Sequence, residues 1–442
     1  MALKITVIGT GYLGATHAAA MAELGFEVLG LDVVPEKIEM LSAGRVPMYE
    51  PGLEELLARH AAGIEGSTGR LRFTTSWEEI GEFGDVHFVC VNTPQKHGEY
   101  ACDMSYVNAA FASLAGVVRS GSLVVGKSTV PVGSAERLAG LLPEGVDLAW
   151  NPEFLREGFA VQDTLRPDRI VVGVRGERAE KVLREVYAGP IGEGSPFVVT
   201  DFPTAELVKT AANSFLATKI SFINAMAEVC EAAGGDVAQL AEAIGYDERI
   251  GSKFLRAGIG FGGGCLPKDI RAFMARAGEL GADQALTFLR EIDSINMRRR
   301  GQMVAMARDA LGGGSFLGKR VAVLGATFKP DSDDVRDSPA LNVAGQIHLQ
   351  GGQVTVYDPK GMDNARRLFP TLGYAETALE AVRGADVVLH LTEWREFRDA
   401  LNPAELGEVV TSRVILDGRN ALDATLWREA GWLYRAMGRP RA

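Results

Sequence analysis

The chain opens with an apolar run, "KITVIG", which is followed by a glycine-rich turn, an amphipathic stretch through "THAAAMAELG" and a second apolar run, "EVLGLDV". This order predicts a strand, a turn, a helix and a second strand. Apolar strands without alternating polar positions are typical of a parallel sheet that is buried on both faces. Further runs at "DVHFVCVNTP", "SLVVGKSTVP", "DLAWNPEF" and "RIVVGV" extend the pattern to about residue 200.

The pattern changes after residue 202. The region 203–310 is rich in alanine and nearly free of strand-like runs, and "TAELVKTAANSFLATKISFINAMAEVCEAAG" is long enough for one long helix. The stretch "LGGGSFLGK" reads as a linker into a second α/β region with strands at "KRVAVLGATFKP", "QVTVYDP", "ADVVLHLT" and "SRVILDGRN". We therefore predict an α/β fold in which two Rossmann-like doubly wound domains, 1–202 and 311–442, are joined by a helical central domain, 203–310. A cleft is expected between the two α/β domains.

Composition narrows the class of protein. The 442 residues carry a formal net charge of −11, which argues against a nucleic acid or an anionic membrane as partner. No apolar run is long enough to cross a bilayer, and the N-terminal residues do not resemble a signal peptide, so we expect a cytoplasmic protein. Four cysteines without paired spacing predict neither a disulfide framework nor a structural metal.

The turn after the first strand reads "GTGYLG", with Gly9, Gly11 and Gly14 in the dinucleotide-binding spacing. Asp32 ends the second strand at close to the spacing of about 20 residues that is expected for the acid on the ribose hydroxyls. A carboxylate there repels a 2′-phosphate, so the sequence predicts NAD rather than NADP. Asp358 ends the equivalent strand of the last domain, but "GATFKP" there lacks the fingerprint, and we expect that domain to bind something else.

The stretch "GFGGGCLPKD" surrounds Cys265 with glycines on one side and with Lys268 and Asp269 on the other. Exposed backbone and a nearby ammonium group favour a reactive thiolate, and a nucleophilic thiol beside NAD favours aldehyde oxidation through a thiohemiacetal and a thioester. The alternative is a mobile loop tip. Cys90 and Cys230, in a strand and a helix, are better interpreted as small buried hydrophobic residues.

Taken together in this order, "VIGTGYLG", "VNTP", "STVPVG", "NPEFLREG", "ELVKTAANSFLATKISFINA", "RIGSKFLRAGIGFGGGCLPKD", "FKPDSDDVRDSP" and "DGRN" resemble the UDP-glucose and GDP-mannose dehydrogenase family, and most closely its members that act on UDP-glucose. The resemblance covers nearly the entire chain. It implies an NAD-dependent, four-electron oxidation of a sugar C6 alcohol to a carboxylate, with NAD on the N-terminal domain and the nucleotide-sugar on the C-terminal one. Gly264 departs from the family, which usually has Ser, Pro or Tyr there.

The resemblance also implies catalytic roles. Lys209 and Asn213, one helical turn apart, would share a helix face; Lys209 would stabilise the alkoxide and the later oxyanion, and Asn213 would hold a water with Asp269. Glu153 and Thr129 would position the hydrolytic water. Glu157, which a helical turn would bring near Glu153, is the alternative base, and the sequence leaves that assignment open. The non-functional alternatives are that Lys209 is a solvated surface lysine and that Glu153 and Glu157 lie at a solvated helix start.

The remaining site residues are carried over from the family motifs. The cofactor set is Gly9, Gly11, Tyr12, Leu13, Gly14, Asp32, Lys37, Thr93, Thr129, Glu157, Lys268 and Arg336. The substrate set is Glu153, Phe154, Leu155, Arg156, Lys209, Asn213, Arg249, Phe254, Leu255, Arg256, Gly260, Phe261, Gly262, Cys265, Phe328, Lys329 and Arg419. Lys329 and Arg419 follow strands of the last domain, where cations suit a diphosphate.

Several alternatives stay open at this stage. GDP-mannose and N-acetylated UDP-sugars compete with UDP-glucose as substrate. A two-electron NAD dehydrogenase would need no thiol, and a non-enzymatic nucleotide sensor would have no reason to keep Lys209, Asn213, Cys265 and Asp269 together. Arg249 resembles a family arginine that reaches into a neighbouring subunit, so we expect a homodimer or a higher homo-oligomer.

Overall fold

The structure is a computed structural model, and it describes residues 3–440. These residues form two compact units. Unit 1 comprises the described residues up to Ala212 together with Arg271–Gly281, and unit 2 comprises Asn213–Ile270 together with the described residues from Ala282 onward. The division into domains 1–202, 203–310 and 311–442 stays a prediction.

Unit 1 is built on an eight-stranded sheet with the order β3-β2-β1-β4-β5-β6-β7-β8. Its strands are β1 (Lys4–Ile8), β2 (Glu27–Leu31), β3 (Leu71–Thr74), β4 (Val86–Val89), β5 (Leu123–Gly126), β6 (Asp147–Trp150), β7 (Ile170–Val174) and β8 (Phe197–Thr200). All neighbours run parallel except β6 and β7, which pair antiparallel. The predicted parallel sheet is confirmed apart from this one pair, because the chain leaves β6 and enters β7 at the same end of the sheet without crossing it.

Unit 2 contains a six-stranded parallel sheet with the order β11-β10-β9-β12-β13-β14. Its strands are β9 (Arg320–Leu324), β10 (Gln353–Tyr357), β11 (Gly373–Tyr374), β12 (Val387–His390), β13 (Val414–Asp417) and β14 (Leu433–Ala436). Both sheets place their first strand between the second and the fourth, which is the doubly wound Rossmann order with its ligand-binding edge at the strand carboxyl ends.

The helices of the first α/β region are α1 (Tyr12–Glu23), α2 (Pro35–Ser42), α3 (Leu53–His60), α4 (Trp77–Phe83), α5 (Ser105–Ala115), α6 (Ser134–Ala139), α7 (Ala160–Leu165), α8 (Glu177–Val186) and α9 (Ala188–Gly192). The following region holds α10 (Phe202–Ala233), α11 (Val237–Gly245), α12 (Leu266–Glu279), a 3₁₀ turn (Asp283–Leu286) and α13 (Thr287–Ala310). The last region holds α14 (Pro339–Leu349), α15 (Met362–Leu368), α16 (Ala378–Val382), a π-helical turn (Glu396–Ala400), α17 (Pro403–Val409) and α18 (Ala424–Glu429).

The hydrophobic pattern located most of these elements. The predicted long helix is α10, with 32 residues, and "LGGGSFLGK" lies between the end of α13 and the start of β9. The strands β3, β8, β11 and β14 were missed; they are the edge strands of the two sheets, and their exposed positions make their runs less continuously apolar than those of the central strands. Within residues 3–440 no helix combines the length and the apolar character that a bilayer crossing requires.

One local prediction is wrong. Glu153 and Glu157 do not share a helical turn, because residues 151–156 have no regular structure and α7 begins only at Ala160. Pro152 cannot donate a backbone hydrogen bond. The carboxylate of Glu153 instead accepts hydrogen bonds from the backbone N–H groups of Phe154 and Leu155, each at 2.5 Å, in this irregular segment.

Candidate active site

The glycine-rich turn between β1 and α1 has the shape of a phosphate cradle. Gly9 has φ 88°, and a Cβ there would lie 2.8 Å from Val91 Cγ1. A Cβ on Gly14 would overlap the carbonyl oxygen of Gly9. Helix α1 begins at Tyr12 with no side-chain cap and no acidic residue in its first turn, which suits an anionic pyrophosphate at its N-terminus. These residues fit NAD.

Asp32 lies directly after β2, as predicted, and is 6% exposed. Its Oδ2 atom accepts hydrogen bonds from Thr10 N at 3.0 Å and from Lys37 Nζ at 3.0 Å. Its Oδ1 atom accepts from Val34 N at 3.2 Å. The carboxylate is thereby held at the strand end, and Lys37, another predicted cofactor residue, is its ion-pair partner.

Tyr12 reaches away from the turn and donates a hydrogen bond to Glu50. Glu50 is 4% exposed and also accepts from the backbone N–H groups of Gly158 at 2.6 Å and Ala160 at 2.7 Å. Sequence reasoning missed Glu50. It ties the segment that follows β6 to the start of α1, where the neighbouring Leu13 packs against the hydrophobic core of unit 1.

The strand ends beside this turn carry the two predicted threonines. Thr93 lies beyond β4 and Thr129 beyond β5, which is the neighbouring strand. Thr93 Oγ1 donates to the backbone oxygen of Thr129 at 2.8 Å. The structure thus brings these two predicted residues into direct contact.

Lys209 is a buried residue of α10, with 8% exposure, and not a solvated surface lysine. Its ammonium lies 5.6 Å from the ring centroid of Phe154, and the guanidinium of Arg169 lies 3.9 Å from the same centroid. Cations over an aromatic face are attracted by the ring quadrupole. Phe154 therefore helps to hold Lys209, and Arg169 is a further member of this cluster that the sequence did not indicate.

The other predicted residues of this segment differ in their surroundings. Arg156 is exposed and pairs with Asp163 through two side-chain hydrogen bonds, Nε to Oδ2 at 2.8 Å and Nη2 to Oδ1 at 2.6 Å. Leu155 and Glu157 are half-buried on either side of it. To bind a substrate phosphate, the side chain of Arg156 would have to give up its pairing with Asp163.

In unit 2, Asn213 Nδ2 donates directly to Asp269 Oδ2 at 2.6 Å. The two residues are therefore in direct contact, and the water that they were expected to hold stays a prediction. Asp269 is 1% exposed, and its other oxygen pairs with Lys268 Nζ at 2.6 Å. The ammonium that was expected to favour the thiolate of Cys265 therefore faces a carboxylate as well.

Cys265 directly precedes α12 and is exposed, whereas the other three cysteines are buried. Burial raises the pKa of the Cys90 thiol to about 12, which keeps it protonated and unreactive. Cys230 packs in a small hydrophobic cluster of unit 2. The interpretation of Cys90 and Cys230 as buried hydrophobic residues agrees with their environments.

The glycines before Cys265 leave room for other parts of the protein. A Cβ on Gly260 would overlap Oδ1 of Asn296, and a Cβ on Gly262 would overlap the backbone oxygen of Asp337. A Cβ on Gly263 would lie 2.9 Å from the ring of Phe328. Protein atoms thus occupy the side-chain positions of these three glycines, and the expectation that their backbone lies against the nucleotide-sugar stays a prediction.

Gly264 is the position where this chain departs from the family pattern, and there too protein atoms occupy the place of a side chain. A Cβ there would lie 2.6 Å from Nη2 of Arg336 and would overlap the rest of its guanidinium. Arg336 is oriented by Asp334, whose Oδ2 atom accepts from Nη2 at 2.7 Å. Glycine at position 264 therefore lets a predicted cofactor residue lie against the backbone next to Cys265.

Arg419 holds this loop to the second sheet. Its Nε donates to Leu391 O at 2.8 Å, its Nη1 to Gly260 O at 2.8 Å and its Nη2 to Phe328 O at 3.2 Å. Burial lowers the pKa of Arg419, although Glu393 lies 3.5 Å away and opposes that shift. The predicted contact of Arg419 with a diphosphate stays a prediction, beside a structural role that the sequence did not indicate.

Helix α13 supplies further contacts that were missed. Arg300 is 1% exposed; its Nη1 pairs with Asp337 Oδ1 at 2.7 Å and its Nη2 donates to Phe261 O at 3.2 Å. Arg299 is fully buried, and its Nε donates to Gly258 O at 3.1 Å. The only sequence signal is "MRRR" in a helix whose apolar positions are otherwise regular, and charge runs usually mark a solvated face.

The last predicted substrate residues lie at the margins of unit 2. Phe254 has φ 65° and is 40% exposed, whereas Leu255 is buried and Arg256 is exposed. Lys329 lies beyond β9, with its ammonium 5.6 Å from the ring centroid of Phe328. The side chain of Arg249 is 89% exposed and pairs with Asp247 at 2.6 Å. Among the described residues no cluster of three or more His, Cys, Asp or Glu side chains is suited to a metal ion.

The geometry defines a Rossmann-type dinucleotide-binding protein with an exposed cysteine. Residues 3–190 match the NAD binding domain of the UDP-glucose/GDP-mannose dehydrogenase family, residues 203–298 match its central domain and residues 322–424 match its UDP binding domain. The chain belongs to this family.

Similar proteins cover the chain nearly end to end. A UDP-glucose 6-dehydrogenase of Rhizobium meliloti is 41% identical, over 99% of this chain and 100% of that protein. A UDP-glucose dehydrogenase from Pyrobaculum islandicum superposes with a TM-score of 0.89 at 37% identity, covering 99% of this chain and 98% of that one. A UDP-D-ManNAc dehydrogenase from Pyrococcus horikoshii superposes with a TM-score of 0.86 at 27% identity, covering 100% of both chains.

These findings confirm the fold class, the family and NAD as cofactor. The protein is an NAD-dependent oxidoreductase with a nucleotide-sugar substrate, and the last domain, whose first turn lacks the dinucleotide fingerprint, matches a UDP binding domain. A non-enzymatic nucleotide sensor is thereby set aside.

Proposed function

We propose that this protein oxidises the C6 alcohol of UDP-glucose to the carboxylate of UDP-glucuronate. The single observation that carries the proposal is the exposed thiol of Cys265, which lies one helical turn before Asp269, itself hydrogen-bonded to Asn213 at 2.6 Å. A two-electron alcohol dehydrogenase has no use for such a thiol. A four-electron enzyme needs a nucleophile to convert the aldehyde into an oxidisable adduct.

The reaction balances as one alcohol, one water and two NAD giving one carboxylate, two NADH and three protons. Bound NAD supplies the acceptor for one hydride in each oxidation. In the first step the C6 hydroxyl loses its proton and C6 loses a hydride, which leaves an aldehyde. The Cys265 sulfur then forms a bond to that aldehyde carbon, and loss of the second hydride converts the thiohemiacetal into a thioester.

Buried polar groups would stabilise the charges that develop on oxygen. Lys209 is proposed to face the alkoxide and the later tetrahedral oxyanion, since a desolvated ammonium gives more stabilisation there than it would in water. Asn213 and Asp269, which are hydrogen-bonded to each other, would relay protons near the thiol of Cys265. Lys268 balances the charge of Asp269.

The thioester is proposed to be hydrolysed by a water that Glu153 and Thr129 position. Water oxygen bonds to the acyl carbon, the carbon–sulfur bond breaks, Cys265 leaves as thiolate and two protons pass to solvent. Glu157 is the second candidate for accepting a proton from that water. The two backbone N–H groups that hold Glu153 support its role in positioning the water, and both glutamates stay candidates for accepting the proton.

UDP-glucose is proposed as the sugar because the relative with 41% identity carries that name. The substrate residues predicted above, among them Arg256, Lys329 and Arg419, would hold the nucleotide-sugar. The likeness to a UDP-D-ManNAc dehydrogenase makes an N-acetylated UDP-sugar the second candidate. We also place the reaction in the cytoplasm, since none of the four cysteines forms a disulfide, the state that a reducing compartment maintains.

A homodimer is proposed as the assembly. Phe215, Phe222 and Val229 lie two helical turns apart along α10 and are 66%, 47% and 58% exposed, so they form one apolar stripe. A second copy of α10, packed across a two-fold axis, would cover each stripe with the other. Arg249, whose side chain extends into solvent, would then reach into the partner's site.

The test is the stoichiometry of NADH release with a panel of nucleotide-sugars. UDP-glucose should give two NADH per sugar and a UDP-uronate product that mass spectrometry detects. UDP-N-acetylmannosamine and GDP-mannose serve as competing substrates. Release of one NADH per sugar with an aldehyde product would contradict the proposal.

A further inference from the structure

Lys127 is a buried cation at the carboxyl end of β5 that the proposed chemistry does not yet use. It is 4% exposed, and its backbone N–H donates to Val89 O at 2.9 Å, which places it in the sheet. Its Nζ atom lies 3.1 Å from Asn151 Oδ1 and 3.4 Å from Glu153 Oε2. A lysine is almost never buried to this extent unless it is paired.

The neighbouring groups leave Glu153 as the anion that balances Lys127. Burial lowers the pKa of Lys127, but its interactions with the surrounding groups, among them Glu153, outweigh burial and leave that pKa raised. Burial raises the pKa of the phenol of Tyr187 and lowers the pKa of His17, so both are neutral near pH 7. The thiol of Cys90 is likewise protonated there, because burial raises its pKa to about 12.

The ammonium of Lys127 has a fixed place. Asn151 Oδ1 accepts from Lys127 Nζ and, at 2.6 Å, from the hydroxyl of Tyr187, while Asn151 Nδ2 donates to Val171 O at 2.8 Å. The amide of Asn151 therefore cannot rotate without losing hydrogen bonds. Phe88 closes the other side, with its ring centroid 5.9 Å from Lys127 Nζ.

We propose that Lys127 is a positioning residue for Glu153 in thioester hydrolysis, an inference that rests on the proposed function. Oε1 of Glu153 is occupied by the N–H groups of Phe154 and Leu155, so Oε2 is the atom that can face a water. Lys127 draws Oε2 toward the end of β5 and balances its charge. Without Lys127 this partly buried carboxylate would lose its counter-charge and turn away, and the water would lose its acceptor.

The experiment is a rapid-mixing comparison of wild type with Lys127→Met. The variant should release a burst of two NADH per active site at close to the wild-type rate, and its steady-state turnover should then fall roughly 100-fold, the scale expected when a reacting water is misplaced. Mass spectrometry should find an acyl adduct on Cys265. The inference would be overturned if Lys127→Met kept the steady-state turnover of the wild type and formed no adduct. It would also be overturned if the burst and the steady state slowed by the same factor.

Three further variants separate charge from packing. Lys127→Gln keeps a donor for Asn151 but lacks the charge, so it should stall like the Met variant, and it serves if the Met variant fails to fold. Tyr187→Phe keeps both charges and removes one hydrogen bond to Asn151; a stall as deep as that of Lys127→Gln would overturn the inference. Lys181→Met removes a lysine that is 76% exposed and paired with Glu177, and should leave all phases unchanged.

The two proposals fail differently. If wild type releases one NADH per sugar, the four-electron function fails and the role of Lys127 fails with it. If the wild type releases two NADH per sugar and Lys127→Gln shows the same burst and steady-state rates, only the proposed role of Lys127 is wrong.

Discussion

The side-chain amide of Asn296 pairs with the backbone of Phe261 in both directions: Oδ1 accepts from Phe261 N at 2.7 Å, and Nδ2 donates to Phe261 O at 3.0 Å. Gly260 precedes this pair with φ 92°, and the amide fills the space beside it. The glycine loop before Cys265 is thus ordered by its own unit before any ligand binds. Preorganised backbone of this kind lowers the entropy lost on binding.

Gly260→Ala should therefore lower the melting temperature more than Gly312→Ala does. Gly312 has φ 90° but has no atom within 4 Å of a Cβ, so it carries only the left-handed backbone penalty of about 1–2 kcal/mol. Gly260→Ala adds displacement of Asn296. Differential scanning calorimetry of both variants measures the difference, and an equal loss would mean that Asn296 moves aside freely.

Cys265→Ser should reduce the release of acid product by orders of magnitude, because a hydroxyl is a much weaker nucleophile than a thiolate near neutral pH. The affinity for the nucleotide-sugar should change little, since the exchange of sulfur for oxygen is nearly isosteric. NADH release and calorimetric binding measure the two effects. Cys230→Ser is the matched control and should retain turnover; near wild-type turnover of Cys265→Ser would show that position 265 is not the nucleophile.

Asp32→Ala should weaken NAD and improve NADP, because it removes the acceptor of the ribose hydroxyls and leaves Lys37 without its ion-pair partner at 3.0 Å. Loss of a charged hydrogen bond corresponds to about 1.5–3 kcal/mol, which weakens the NAD complex by a factor of roughly 10 to 150. The gain in NADP affinity should disappear in Asp32→Ala/Lys37→Ala. Fluorescence titration with each dinucleotide tests both statements, and a wild type that uses NADP as well as NAD would refute them.

Phe222→Asp should weaken self-association, because it places a charge in the centre of the apolar stripe of α10. Replacing Phe by Asp removes the burial of a large aromatic ring at the interface. This loss alone weakens association by about 1.5–3 kcal/mol, and the added charge weakens it further. Analytical ultracentrifugation measures the dimer dissociation constant. Leu349→Asp, at a leucine that is 86% exposed on the last region, is the control and should have no effect; a fully active wild-type monomer would exclude the proposed dimer.

Apolar patterning predicted the Rossmann sheets because their central strands are buried on both faces and must be continuously apolar. The same local reasoning found Gly9, Gly14 and Asp32, whose spacing follows from one strand, one turn and one helix. It also singled out Cys265, since glycine, cysteine and charge in ten residues is a departure from ordinary composition. Each of these signals is contained in a short stretch of chain.

Other features depend on partners that are distant in sequence. The side-chain positions of the glycines near Cys265 are occupied by Asn296, Asp337 and Arg336. Nothing in the glycine-rich segment itself predicts these contacts. Glu153 and Glu157 were expected to share a helical turn because they are four residues apart, but Glu153 accepts hydrogen bonds from the Phe154 and Leu155 N–H groups in a segment without regular structure. A local pattern cannot weigh such competing hydrogen bonds.

The sequence by itself determined the alternation of strands and helices, the dinucleotide turn, the acid at the end of the second strand and the exposed cysteine, because periodicity and close spacing act within one element. Only the tertiary structure decided that Lys127 is a buried counter-charge for Glu153 and not a surface lysine, and that Arg419 holds the carbonyl of Gly260. The physical reason is that the free energy of a charge depends on what surrounds it, and those surroundings exist only after strands far apart in the chain have packed together.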